Sequence, residues 1–313
     1  MDRSRSVLKI GNSSLSISLP RDWVVRNGII PGQQLTIRDS ADSVIEIHAK
    51  PKPSKLIAKV NANLETDMAL RKVIGAYVSG ASQIEVHGGN AGYVCELSRS
   101  MLSGVELADE REGSLVLEVF DNQYGKNSGE VFKRFYSLTS GMIDLAQNSC
   151  QTGKDNCDEI SKRELEIDRL YILFLRNMSS KDGGNKILDI LAAKLFERLA
   201  DNAEILGRDP SHLHGNKKLA ELVESAKYIF KIAYEAILKS SAKSADFEFI
   251  KEFLKKVNSE DSSPKNQKAE IFAIYHALEK IGEYSMDLLE IAIDNYRIEQ
   301  IAESSFPLRG KPI

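Results

Sequence analysis

The chain has 313 residues, of which 42% are hydrophobic and 28% charged, values typical of a globular protein and unlike those of a disordered one. No apolar run approaches the roughly 18 residues of a membrane span, and no signal-peptide pattern follows Met1, so we expect a cytoplasmic protein. The three cysteines, Cys95, Cys150 and Cys157, lack metal-ligand spacing and are predicted to be reduced, incidental thiols.

The net charge of -3 is unevenly distributed along the chain. Residues 1–60 contain ten Lys/Arg and five Asp/Glu, a net charge of +5, so the remaining residues carry -8. A basic N-terminal segment on an acidic body favours a polyanion-binding module joined to a second domain.

Residues 6–49 predict short strands around one short helix. VLKI and LSISL flank a GNSS turn, Pro20 and Gly28 bracket a helix, and LTIRD and VIEIH alternate apolar with polar residues. A ββαββ unit of this size buries little core alone, which predicts that it folds as a dimer. Its clustered cations either bind phosphate groups or only keep the module soluble; they are Arg3, Arg5, Lys9, Arg21 and Arg26.

Residues 64–122 predict a small α/β module that follows a linker at residues 50–55. A helix through LRKVIGAYVSG leads to the strand QIEVHG, a helix through YVCELSRSMLSG and the strands VELAD and SLVLEVF. The glycine-containing loop 87–92 lacks both the Walker lysine and the dinucleotide-binding spacing. We therefore expect a plain connecting loop there.

From about residue 127 to residue 303 the periodicity predicts six helices. The expected breaks lie near Gly153, Ser179–Gly184, Gly207–Pro210, Ser240–Ser244 and Ser259–Pro264. FERLADNAEIL (196–206) and LEKIGEYSMDL (278–288) repeat each other, and each falls in the third helix of a block of three. A repeat at this period indicates a duplicated supersecondary unit.

Paired carboxylates at helical spacing are the candidate chemistry of the first repeat. Glu164 and Asp168 are four residues apart on one helix face, and Glu197 and Asp201 have the same spacing on the next helix. Four carboxylates from two packed helices would form a hard-oxygen site for Mg²⁺, Mn²⁺ or iron. The alternative is a solvated acidic face with cationic neighbours, namely Arg163, Arg169, Lys194 and Arg198.

The second repeat predicts a degenerate site at Glu279 and Glu283. Its helix stays acidic along one whole row, as a water-facing stripe does. When the preceding helix is aligned with that of the first repeat, Lys251 falls opposite Asp168, where a second-site acid would be expected. No nucleophile–base arrangement and no Glu-x-x-His pair accompanies these helices, which counts against an enzyme.

The N-terminal segment KIGNSSLSISLPRDWVVRNGIIPGQQLTI resembles the AbrB/MazE/SpoVT swapped-hairpin domain. The residues that match its motif are Gly11, Ser13, Leu19, Pro20, Trp23, Gly28 and Gly32. The resemblance implies a homodimer that binds DNA through basic residues. The candidate contacts are Arg5, Lys9, Arg21 and Arg26.

Residues 127–303 resemble the PhoU family of phosphate-uptake regulators. The match rests on ELEIDRLYILFLR, FERLADNAEIL and LEKIGEYSMDL. The resemblance implies two three-helix bundles that bind metal through Glu/Asp-x-x-x-Asp pairs and act with a phosphate ABC transporter. Asn202, Glu283 and Lys251 depart from the family pattern, so we expect one metal site, in the first repeat.

The predicted fold is mainly α. It comprises an AbrB-like domain at residues 1–52, an α/β module at 60–124 and PhoU-like tandem three-helix bundles at 127–303. We expect a non-enzymatic, dimeric regulator of phosphate homeostasis that binds DNA and a metal ion (Mg, Mn, Fe or Zn). The alternatives are an adaptor that contacts a transporter ATPase without binding DNA, an antitoxin-like partner and a metal-dependent hydrolase.

Overall fold

The computed structural model describes residues 5–11, 14–40, 44–49, 56–63, 65–111, 113–120, 127–180, 186–208, 214–261 and 269–305. The chain is mainly helical (67%) with small β-sheets towards its N-terminus, which confirms the predicted class. Its contacts divide it into two units, Met1–Lys55 and Leu56–Ile313. Among the described residues, no helix combines the length and the apolar character that crossing a bilayer requires.

The N-terminal unit consists of two separate antiparallel hairpins and one short helix, in the predicted ββαββ order. Within the hairpins, Val7 is opposite Ile17 and Thr36 is opposite His48. The elements are β1 (Val7–Ile10), β2 (Ser14–Ile17), α1 (Arg21–Arg26), β3 (Thr36–Ser40) and β4 (Val44–His48). The predicted linker at 50–55 lies outside the described residues, as do Asn12 and Ser13 of the GNSS turn.

No residue of the N-terminal unit is buried among those whose side chains are described. Leu15 is 72% exposed and Val25 is 70% exposed. Successive strand residues point to opposite faces, so the exposed neighbours Val7 and Leu8 leave both faces of the first hairpin apolar and uncovered. An isolated two-stranded hairpin is at best marginally stable in water, and these hairpins lack an internal core that would support them.

The second unit begins with an α/β module that contains one strand more than the sequence predicts. The unpredicted strand β5 pairs in parallel with β6, and Val60 and Ala62 from this region are buried. The sheet order is β5-β6-β8-β7, with the last two pairings antiparallel. The elements are β5 (Ile57–Asn61), α2 (Thr66–Val78), β6 (Gln83–His87), α3 (Ala91–Met101), β7 (Val105–Arg111) and β8 (Ser114–Val119).

The described residues from 127 onward form six helices, and their breaks agree with the predicted ones. They are α4 (Ser128–Thr152), α5 (Cys157–Ser180), α6 (Lys186–Gly207), α7 (Lys217–Lys239), α8 (Ser244–Asp261) and α9 (Ala269–Ser305). Asn127 caps α4 by accepting a hydrogen bond from the backbone N–H of Gly129 at 2.9 Å, and Gly153 ends that helix with φ +71°. Asn216 caps α7 in the same way, through the N–H of Leu219 at 3.1 Å.

These helices share one hydrophobic core. Helices α4, α5 and α6 contact one another, as do α7, α8 and α9, and the contacts α6–α9 and α4–α7 join the two groups. Aromatic contacts link them: the Phe196 ring of α6 stacks on Phe135 with centroids 5.8 Å apart and meets Phe230 edge to face at 5.9 Å. The repeated motifs lie on α6 and α9, which contact each other directly.

Helix α5 also holds the α/β module, because α2 and α3 pack against it. Ile172 of α5 is buried in the core of the module. One turn further along the helix, the Arg176 guanidinium donates hydrogen bonds to the backbone carbonyls of Tyr77 and Ala81, the latter at 3.0 Å, and lies 4.7 Å from the Tyr77 ring centroid. The Tyr77 carbonyl also accepts the backbone N–H of Gly80 at 3.0 Å, so the guanidinium adds a positive charge at the C-terminal end of α2, where the helix dipole favours a cation.

We expect Arg176→Ala to loosen the α/β module without unfolding the helices behind it. Two charge-assisted hydrogen bonds and a cation–π contact are lost, worth about 1–3 kcal/mol together. Amide hydrogen exchange should accelerate in α2 and α3 and stay unchanged in α7–α9. Arg99→Ala, which removes an exposed pairing with Glu106, is the matched control. Uniform acceleration across all helices would contradict this account.

Candidate metal centre

Three carboxylates meet where α5 and α6 pack against each other. One carboxylate oxygen from each of Glu164, Asp168 and Asp201 lies within 4.8 Å of those of the other two. The spacing of four residues puts Glu164 and Asp168 on one face of α5, and α6 contributes Asp201. All three side chains are half-buried. Among the described residues, these are the only three or more Asp, Glu, His or Cys side chains that converge in this way.

A close helix–helix approach brings the acidic rows together. At Gly207, near the end of α6, an added Cβ would lie 2.1 Å from Cδ1 of Ile160 on α5. A side chain at this position would meet the end of the Ile160 side chain, which would have to move. The buried side chains of Ile167 on α5 and of Leu199 and Ala203 on α6 complete the packing on the core side.

The proximity of the carboxylates makes each of them harder to ionise. Burial raises the pKa of Glu164 to about 7, and the negative charges of Asp168, Glu204 and Asp201 add to the effect. Burial, followed by the charges of Glu197 and Asp168, raises the pKa of Asp201 to about 6. The pKa of Asp168 is also raised, by burial first and then by Glu197, although Lys194 and Arg71 partly offset this.

Glu197, the fourth predicted ligand, lies beside the three carboxylates but is turned towards a cation. Its Oε1 accepts a hydrogen bond from Lys194 Nζ at 2.5 Å, and Lys194 also lies 5.0 Å from the Tyr171 ring centroid. The Glu197 side chain is only 12% exposed. Its Oε2 is buried without a hydrogen bond and lies 4.0 Å from Arg198 Nε. A buried carboxylate oxygen without a donor is costly, and a cation nearby would relieve that cost.

The remaining predicted neighbours of the site take other roles. Asn202, the residue after Asp201, donates a hydrogen bond to the backbone carbonyl of Arg198 at 2.7 Å. Arg163 pairs with Glu159 at 2.7 Å. Sequence reasoning missed Glu204, whose charge acts on Glu164; its position one turn beyond Asp201 on the same helix was the available signal.

The corresponding carboxylates of the second repeat contact basic side chains of their own helix. Glu283 pairs with Lys280 at 2.6 Å, and His276 Nδ1 lies 3.5 Å from Glu279. Lys251, which the alignment of the repeats places opposite Asp168, pairs with Glu248 at 3.1 Å. Within the described part of the chain, neither Glu279 nor Glu283 belongs to a convergent group of three possible ligands.

The donor set in the first repeat fits a hard divalent cation. Carboxylate oxygens are the ligands that Mg²⁺, Mn²⁺ and non-haem iron prefer, and all three ligands here are of that kind. A bound cation would favour the ionised form of each carboxylate and remove the repulsion between them.

The predicted DNA-binding residues all lie in the N-terminal unit. Lys9 is on β1, Arg21 and Arg26 are on α1, and Arg5 precedes β1. All four are exposed, and none forms an ion pair with another described residue. The Arg26 side chain donates a long hydrogen bond, 3.3 Å, to the backbone carbonyl of Asp22.

Comparisons of the chain with protein-family models, with curated proteins and with solved structures find no match.

We expect the unfolding free energy of the metal-free protein to fall as pH rises from about 4 to about 7. The folded state holds protons on Glu164 and Asp201 more tightly than the unfolded chain does, so this contribution is complete below the ordinary carboxyl pKa and is lost through pH 7. Glu164→Gln should raise the unfolding free energy by about 1 kcal/mol at pH 8 and should leave it nearly unchanged at pH 4.

Urea denaturation in the presence of chelator measures this, with the exposed Glu96→Gln as the control. Equal effects of Glu164→Gln at pH 4 and pH 8 would show that this carboxyl is not perturbed.

Proposed function

We propose that this chain is a cytoplasmic, non-enzymatic and dimeric regulator of phosphate homeostasis, with a metal-dependent helical body and a DNA-binding N-terminal domain. The observation that carries the proposal is the convergence of Glu164, Asp168 and Asp201 from two helices. Three carboxylates at this distance, half-buried and with raised pKa values, are poorly stable without a positive charge between them.

The link to phosphate rests on the resemblance of the helical body to the PhoU family. Two observations support PhoU-like tandem three-helix bundles. The repeated motifs occupy the third helix of each block, α6 and α9, and the helices of each block contact one another. In this proposal the first block holds the metal through Glu164, Asp168 and Asp201, with Glu197 beside them, and the second block holds none.

Dimerisation through the N-terminal domain follows from its uncovered apolar surface. Large apolar side chains are exposed along all four strands; they include Leu8, Leu15, Ile37 and Ile45. A second copy that interleaves its hairpins with these would bury both faces at once, as the resemblance to swapped-hairpin domains implies. The second copy would cover the apolar wall of a groove formed by Leu19, Pro20, Trp23, Ile45 and Ile47, whose remaining lining residues are Asp22 and Arg26.

The same dimer would double the positive charge available for DNA. Arg5, Lys9, Arg21 and Arg26 are exposed and without ion pairs among the described residues, so they are free to contact phosphates. Two copies would present twice this set on one small object, which favours salt-dependent binding of duplex DNA.

We expect Mn²⁺ to raise the unfolding temperature of the chelator-treated protein and Asp168→Asn/Asp201→Asn to abolish that rise. This double variant should fold, because each of its two substitutions removes a poorly solvated negative charge. Glu279→Gln/Glu283→Gln is the matched control, with the same spacing and charge change in the second repeat. An Mn²⁺ effect that survives in the first double variant would refute the proposed ligands.

We expect the protein to bind duplex DNA with an affinity that falls steeply as the salt concentration rises. The double variant Arg21→Ala/Arg26→Ala should bind at least tenfold more weakly than the wild type. Fluorescence anisotropy with fragmented genomic DNA at two salt concentrations measures this. Lys217→Ala/Lys255→Ala removes the same charge from exposed positions of the helical body. Absence of DNA binding in the wild-type protein would favour the adaptor alternative.

A further inference from the structure

A cavity of about 380 Å³ lies between the end of α3 and helix α5, at the seam between the α/β module and the helical body. Helix α3 contributes Ser100 and Met101 to its wall, and α5 contributes the rest: Lys162, Leu165, Glu166, Asp168 and Arg169. One of these, Asp168, is also one of the three convergent carboxylates. The cavity therefore adjoins the candidate metal centre and shares a side chain with it.

The charged side chains of this wall differ in whether they form ion pairs. Glu166 is already neutralised by an ion pair with Arg134, which comes from α4. Lys162 and Arg169, in contrast, form no ion pair with any described residue. A third cation, Arg71 of α2, lies close enough to lower the pKa of Asp168. The only carboxylate of the wall without a cation of its own at bonding distance is thus Asp168.

A metal ion on Asp168 would change the charge balance of the cavity. With Asp168 committed to a cation, Lys162 and Arg169 are the charged residues of the wall that form no ion pair among the described residues, and the metal adds to their field. Lysine supplies a point charge and arginine a planar pair of donors, a combination that suits the oxygens of a phosphate group. Met101 and Leu165 add apolar surface, and the volume is in the range of small-ligand pockets.

We infer that this cavity binds a small phosphate-bearing anion through Lys162 and Arg169, with the metal at Asp168 strengthening the binding. The inference builds on the proposed metal centre and adds a second ligand to it. Because α3 and α5 both line the cavity, the anion would bridge the α/β module and the helical body. Its presence would then be sensed at the seam where Arg176 and Ile172 hold the two parts together.

Calorimetric titration of the full chain, with and without Mn²⁺, tests this. The probes are inorganic phosphate and glycerol 3-phosphate, and the metal content of each sample is measured in parallel. We expect binding with Mn²⁺ that weakens at least tenfold in Lys162→Ala/Arg169→Ala. Lys133→Ala/Lys255→Ala removes two exposed cations that also lack ion pairs among the described residues, and it should bind as the wild type does.

Each outcome decides between the two proposals. Mn²⁺ bound without either probe binding, or equal binding by the wild type and Lys162→Ala/Arg169→Ala, would overturn the anion site and leave the metal centre standing. Probe binding that depends on Lys162 and Arg169 but not on Mn²⁺ would support the anion site. It would overturn the claim that the metal at Asp168 strengthens anion binding. Tighter binding of the ester than of free phosphate would identify an organic phosphate as the ligand.

Discussion

The repulsion among three half-buried carboxylates is the constraint on which the account of the helical body depends. Helices α5 and α6 pack against each other: Gly207 leaves room for the Ile160 side chain, and Ile167, Leu199 and Ala203 are buried in the shared core. The core thus imposes a geometry that the charges on its rim oppose. Burial, and then the neighbouring negative charges, raise the pKa of Glu164 and Asp201, so protons remove the repulsion at low pH and a divalent cation would remove it at neutral pH.

Helix α5 connects this constraint to the rest of the second unit. Its successive turns carry Asp168 in the carboxylate group, Ile172 in the core of the α/β module and Arg176 on the carbonyls at the end of α2. The carboxylate group, the module core and the carbonyl contact are thus all reached from one helix. The charge state of the carboxylates and the seating of the module are therefore properties of one element, and the cavity beside Asp168 lies between them.

The hydrophobic periodicity and the helix-ending residues predicted the parts of this structure that depend on local sequence. The five breaks between the helices follow from Gly, Ser and Pro at the helix ends, and the acidic rows follow from spacing alone. Strand β5 was missed because its short IAKVN pattern is stabilised by parallel pairing with β6, a long-range contact. The hydrogen bond of Glu197 with Lys194 and the position of Lys162 and Arg169 in the cavity wall depend on rotamers and on neighbouring elements, which no spacing encodes.

The most direct test is an anomalous difference map from crystals of the protein grown with Mn²⁺ and measured at the manganese absorption edge. The account predicts one strong peak coordinated by Glu164, Asp168 and Asp201, and none beside Glu279 and Glu283. Absence of a peak in the first repeat, with the three carboxylates still converging, would contradict it. The acidic group would then be a solvated face, and the regulatory role of the helical body would have to rest on protein contacts.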